Sequence, residues 1–206
     1  MLAHLLFQIR VYITYHWKAK NAHGLHSPFL FDLYNEVIAS QKEYYFFKQF
    51  RELISPYSAL ISERNAVFLY RWAAFYQPHS VCIPSASFPV SLALSVPSCQ
   101  KELSVLSLQL FSEYERGIFK QLDISVLENQ KTDLIYLDEI DAHTAAEISD
   151  YKCVIIYKPH DDKDKDCVWR DLCRLNMVSI SIDLFQFGIL LLNKNQAKQH
   201  FVVKMR

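Results

Sequence analysis

From His79 to Leu192 the chain alternates short apolar runs with stretches of helical character, and that alternation leaves few folds open. It predicts strands at 81–83, 103–108, 124–127, 133–137, 153–157, 178–182 and 187–192. Helices are expected between them at 90–96, 113–122, 142–148 and 164–175. DLIYL at 133–137 and CVIIY at 153–157 are continuous apolar runs, the pattern of strands covered by helices on both faces. The link around 184–186 is too short for a crossover helix, so the last two strands should pair antiparallel.

In such a fold ligands bind at the carboxyl end of the first strand, where glycines let backbone N–H groups approach the ligand. Here the turn after the first strand is Pro84-Ser85-Ala86-Ser87-Phe88-Pro89. It has no glycine, each proline removes a donor, and Phe88 is expected to bring bulk where a ligand would need space. The whole chain has only 3 glycines in 206 residues, which argues against a Gly-rich phosphate loop. Its 22 Lys and Arg balance its 22 Asp and Glu, so charge gives no case for a nucleic-acid partner. The 5 cysteines form no Cys-x-x-Cys pair. They read as reduced thiols of a cytoplasmic protein, and their spacing does not suit zinc or another metal.

Residues 1–78 precede the alternation and read as a helical segment packed on the core, with 79–206 as a single structural unit. Leu2, Leu5, Leu6, Ile9 and Ile13 recur at helical spacing and predict an amphipathic helix over 2–19. Gln8 and Arg10 interrupt its apolar character, and no run approaches the ~20 residues of a membrane span. Packing on the domain or on a second subunit is the expectation, and Arg10, Lys18 and Lys20 leave a membrane-surface role as an alternative. His23 and His26 lie in a Gly24-containing turn and are expected to hydrogen-bond within it. Ser27 and Pro28 then start a helix as N-cap and first residue. The aromatics Tyr44, Tyr45, Phe46, Phe47 and Phe50 read as core or interface rather than a stacking platform for bases. A further helix is expected at 65–76. The charged run 160–166, HDDKDKD, reads as a solvated loop entering a helix.

HGLHSPFLFDLYNEVI at 23–38 and IDLFQFGILLLNKNQAKQHF at 182–201 resemble a bacterial family of class I S-adenosylmethionine-dependent methyltransferases, close to the O-methyltransferases. The resemblance covers most of the chain, with the segment between Arg51 and Asn65 shortened. It implies a Rossmann-like fold. Together with the alternation, the expected architecture is a mostly parallel seven-stranded sheet in the order 3-2-1-4-5-7-6, one strand antiparallel, plus N-terminal helices. The family's cofactor motif, Leu-Glu-x-Gly-x-x-x-Gly-x-Ser, falls on the first strand and its turn. There Ile83 stands for the glutamate, Ser85 and Pro89 for the glycines, and Ser91 for the serine. Gln109 falls where the family has the acid that holds the ribose. Asp138 matches the aspartate after the fourth strand, and Lys158, Pro159 and His160 replace paired aspartates after the fifth.

The resemblance therefore places any cofactor contacts at Ser85, Ala86, Ser87, Gln109 and Asp138, with catalytic residues left unassigned. Lost hydrogen bonds to charged groups cost ~1.5–3 kcal/mol each, so two such losses weaken binding ~100-fold or more. The leading expectation is a methyltransferase-like protein with a degenerate motif, no cofactor, and a role as an interaction or assembly module. Its expected contact surfaces are the N-terminal helix, through which a homodimer could form, and the Tyr44–Phe50 cluster. The alternatives are an active small-molecule O-methyltransferase using S-adenosylmethionine, with His143 as general base near Asp138, or a small-molecule sensor. For that pair the plain structural reading is that Asp138 caps a helix and His143 sits in its first turn.

Overall fold

A computed structural model of the chain describes residues 2–20, 27–130, 132–193 and 197–205. The His23–His26 turn lies outside the described residues, as does the side chain of Leu2. Among the described residues eight strands form one sheet in the order β3-β2-β1-β4-β5-β7-β6-β8. They are β1 (Ser80–Cys82), β2 (Glu102–Val105), β3 (Ser125–Glu128), β4 (Leu134–Leu137), β5 (Cys153–Tyr157), β6 (Val178–Asp183), β7 (Phe187–Leu192) and β8 (Gln199–Val202). β7 runs antiparallel to both β5 and β6, as the short link before it requires. The pairs β1–β2, β2–β3, β4–β5 and β6–β8 are parallel.

The sheet departs from the sequence expectation in having an eighth strand. Gln199 and His200 on β8 are exposed, and its apolar part is only the short run that begins at Phe201 and Val202, too little to predict a strand beside the longer runs before it. Backbone pairing with β6 holds it in place. On its other side Lys20 bridges Val203, with Lys20 donating to the Val202 carbonyl at 2.9 Å.

The chain divides into two compact units, Ser27–Asp133, and Met1–His26 with Leu134–Arg206. This partition runs along a different line from the sequence division at 78/79. Within Ser27–Asp133, α2 (Pro28–Leu33) passes into a wider turn at Tyr34–Ile38, and α3 (Phe47–Ile54) and α4 (Glu63–Tyr76) follow. Ser62 caps α4 by accepting from the Asn65 N–H, and Gln77 ends it in the left-handed conformation. α4 packs with α5 (Phe88–Ser95), whose eight residues are all buried. α6 (Glu113–Gln121) opens on a reciprocal cap between Ser112 and Glu115.

The aromatic cluster is largely the core of this unit rather than a contact surface. Phe47 and Phe50 are fully buried and pack with Tyr70 at ring-centroid distances of 5.0 and 5.5 Å. Only Tyr45 projects fully into solvent.

In the other unit, α1 (Leu2–Lys18) buries Val11 and Tyr15, one turn apart. Tyr15 donates its hydroxyl to the Val203 carbonyl at 2.6 Å. β4 and most of β5 are buried throughout. α7 (Thr144–Glu147) is short, and α8 (Lys163–Arg174) packs on β6. The Trp169 ring of α8 lies against Gly188 so closely that an added Cβ would sit 2.6 Å from it.

Candidate functional site

The turn after β1 begins at Ile83, which is completely buried, so the end of the strand is closed by hydrocarbon. Ser85 is exposed and Ser87, the N-cap of α5, is half-buried. The positive φ falls on Ala86 at 51°, one residue beyond the serine that stands for a glycine. The Ala86 N–H closes the turn on the Ile83 carbonyl at 3.0 Å.

Phe88 does not fill the space of a ligand. It turns inward, 2% exposed, with ring centroids 5.0 Å from Tyr57 and 5.4 Å from Phe119. Ser91, the motif's serine, is also fully buried, and its hydroxyl has no hydrogen-bond partner among the described residues.

Cys82 pairs with Ser104, so β1 and β2 end at the same edge of the sheet. Gln109 is exposed in a short turn after β2, its N–H donated to the Ser107 hydroxyl at 3.3 Å. Glu128 on β3 accepts the Leu108 N–H at 2.7 Å. The carboxylate beside this turn is thus committed to the backbone.

Asp138 belongs to the other unit. It is half-buried after β4, and its carbonyl accepts from the Lys165 ammonium at 2.8 Å. Lys165 also pairs with Glu139 at 3.0 Å. Burial, followed by the charge of Asp138, pushes the Tyr136 hydroxyl well above its ordinary range. The helix cap expected at Asp138 is made by Asp141, whose carboxylate accepts from the N–H groups of His143 and Thr144 at 2.8 and 3.2 Å. These bonds, the His143 one first, hold Asp141 below the usual carboxylate range. His143 is exposed just ahead of α7 rather than in its first turn.

The segment 160–166 differs most from its sequence reading. Asp162 caps α8 by accepting from Asp164 and Lys165, but His160, Lys165 and Asp166 are buried. His160 Nδ1 lies 2.7 Å from Asp166 and Nε2 lies 2.9 Å from Asp183 at the end of β6. Arg170, one turn along α8, reaches Asp166 at 2.6 Å. Burial alone would lower the His160 pKa. The hydrogen bonds to Asp166 and Asp183, with the charges of both, outweigh it and lift the imidazole to about 9. His160 is therefore an imidazolium at neutral pH, and both its nitrogens are engaged.

The His160 ring stacks on Phe185 at 5.7 Å, and Tyr12 and Tyr15 of α1 meet Phe185 at 5.4 and 5.2 Å. Phe185 holds a φ of 67° and donates its N–H to Asp183. A cavity of about 390 Å³ opens here, walled by Leu5, Ile9 and Tyr12 of α1 with His160, Phe185 and Gln186. Nothing local in the sequence announces this cluster, because Asp183 lies 23 residues from His160. Among the described residues no group of three or more His, Cys, Asp or Glu is placed to hold a metal ion. No described helix is long and apolar enough to cross a membrane.

No protein-family model matches the sequence, and no curated protein matches it. Solved structures do. A methyltransferase from Geobacter sulfurreducens superposes with a TM-score of 0.52 at 12% identity, over 76% of this chain and 92% of that one. The SAH-bound Podospora anserina methyltransferase PaMTH1 superposes at 0.51 and 13% identity, over 71% and 86%. The chain thus has a methyltransferase-type, Rossmann-like α/β fold.

Proposed function

We propose that this methyltransferase-fold protein has lost efficient S-adenosylmethionine binding and acts as an interaction or assembly module. The observation that carries the interaction role is the outer face of α1, where Leu5, Leu6, Ile9, Ile13 and Trp17 are exposed together. Such an apolar face on a folded chain marks a contact surface. Loss of the cofactor is supported by the turn after β1. Ile83 offers hydrocarbon where the resembling family has a carboxylate, Pro84 and Pro89 lack N–H donors, and Gln109 brings no charge to a ribose.

A second reading, an active small-molecule O-methyltransferase, is favoured by one feature. Ala86 reaches a positive φ without a glycine, and the Ser85 and Ser87 hydroxyls flank it. Calorimetric titration with S-adenosylmethionine and S-adenosylhomocysteine tests both. No saturable heat below about 1 mM ligand is the expected result. Micromolar binding would overturn the proposal and establish the second reading's cofactor site.

A further inference from the structure

We infer that the partner for the α1 face is a second copy of this chain, docked antiparallel across a two-fold axis. The inference rests on reading the chain as an interaction module and names its partner. Leu5, Ile9, Ile13 and Trp17 follow one another at four-residue spacing, so they form one ridge along the helix. An axis passing midway between Ile9 and Ile13 sets Ile9 against the second copy's Ile13. The same axis sets Leu5 against the second copy's Trp17. Every apolar side chain of the ridge then meets an apolar side chain, which is the self-complementarity a two-fold contact requires.

The surface also supplies a knob and a hole. Leu5 lines the 390 Å³ cavity, and the antiparallel arrangement brings an indole to its rim. Trp17, at 89% exposure, is the most exposed large apolar side chain among those described on α1. With Leu5 at 53%, Leu6 at 57%, Ile9 at 47%, and Tyr12 and Ile13 at 51% each, the face is open along most of the helix. Together these six side chains leave roughly 700 Å² per copy, close to the ≈ 800 Å² per partner of a standard interface.

A lipid surface is the competing occupant, since α1 carries Arg10 and Lys18 and no acid. The concave cavity beside the ridge, with Asp161 at its wall, suits a protein knob better than a bilayer.

Sedimentation velocity from about 1 to about 100 μM should show a monomer–dimer equilibrium. Ile9→Glu with Ile13→Glu should weaken it by about 100-fold or more, and Trp17→Ala by about 10-fold or more. These positions are exposed in the single chain, so at concentrations where the wild type is also monomeric circular dichroism melts should stay unchanged. A wild-type monomer at the highest concentration overturns the inference. So does a dimer undiminished in both folded variants. Co-flotation of a solution monomer with phosphatidylglycerol-rich vesicles overturns it in favour of the lipid surface. Cofactor titration reads independently. A dimer that binds S-adenosylmethionine keeps this contact and removes the non-binding reading, and a monomer that binds none does the reverse.

Discussion

His160 shows what a single buried charge contributes and why it escapes a reading by sequence. In the run 160–166 it sits among acids and lysines that look solvated, and only the fold brings Asp183 to its second nitrogen. Its pKa rises from 6.5 unfolded to about 9 folded. The stabilisation from proton binding is full below about pH 6.5 and lost as pH rises through about 9, on the order of 3 kcal/mol in total. Urea melts at pH 6 and pH 9.5 should differ by that order, and His160→Gln should remove most of the difference, leaving a smaller part from the buried Cys173 thiol. An unchanged pH step in His160→Gln would assign it to another group. The same substitution takes the imidazolium from buried Asp183, while Arg170 still pairs Asp166, so it should cost about 3–5 kcal/mol at neutral pH. Adding Asp183→Asn should recover part of that loss. Gly188 makes a simpler case. Its place on β7 is legible as a strand, but the need for glycine comes from the Trp169 ring across α8. Gly188→Ala should lower stability by about 1–3 kcal/mol through overpacking, read as a shifted urea midpoint. A neutral result would mean that Trp169 can move aside.

At the scale of elements, α2 and α6 begin at the expected Pro28 and Glu113, whereas α4 begins two residues ahead of its expected start, at its Ser62 cap. α6 begins where Ser112 and Glu115 cap each other, and Glu115 also accepts the Tyr57 hydroxyl at 2.8 Å. Burial first, and Glu115 second, push Tyr57 up to about 12. Ser112→Ala should cost about 1 kcal/mol, the usual value of a cap. Glu115→Ala should cost about 2–3 kcal/mol, because it also removes the acceptor for Tyr57. The pair of variants should be less than additive in a double-mutant cycle, since they break one network. Full additivity would show that the cap and the Tyr57 bond act separately. α3 was not readable for an opposite reason. Phe47, Phe50 and Ile54 have helical spacing, but Tyr44, Tyr45 and Phe46 run into them and hide the period. β8 was hidden by its edge position, where one strand's backbone suffices to hold polar side chains.

For the whole molecule, continuous apolar strands and one short link were enough to place β7 antiparallel, and the resemblance placed the order of the first seven strands. The candidate cofactor turn was legible as chemistry but not as shape. The absence of glycine was plain, whereas the inward turn of Phe88 and the positive φ at Ala86 depend on what α5 packs against. That distinction decides where a test should look. With Phe88 withdrawn into the core, its bulk does not bar a ligand from the turn, and under the proposed loss of cofactor binding the missing donors and charge carry the defect. A missing-contact defect leaves the native state without differential affinity, so cofactor should not shift unfolding. If S-adenosylmethionine bound with a dissociation constant near 10 μM, 1 mM ligand would stabilise the protein by about 2.7 kcal/mol. For a chain of this size each 1 kcal/mol moves the melting temperature by about 2–4 °C, so the shift would be roughly 5–10 °C. The expected shift is below about 1 °C. Ser85→Gly should leave it there, because a freer backbone at one position restores neither the acid missing at Ile83 nor the charge missing at Gln109. A large shift in Ser85→Gly alone would instead make turn conformation the sole barrier, and the chain one substitution from a cofactor-binding protein.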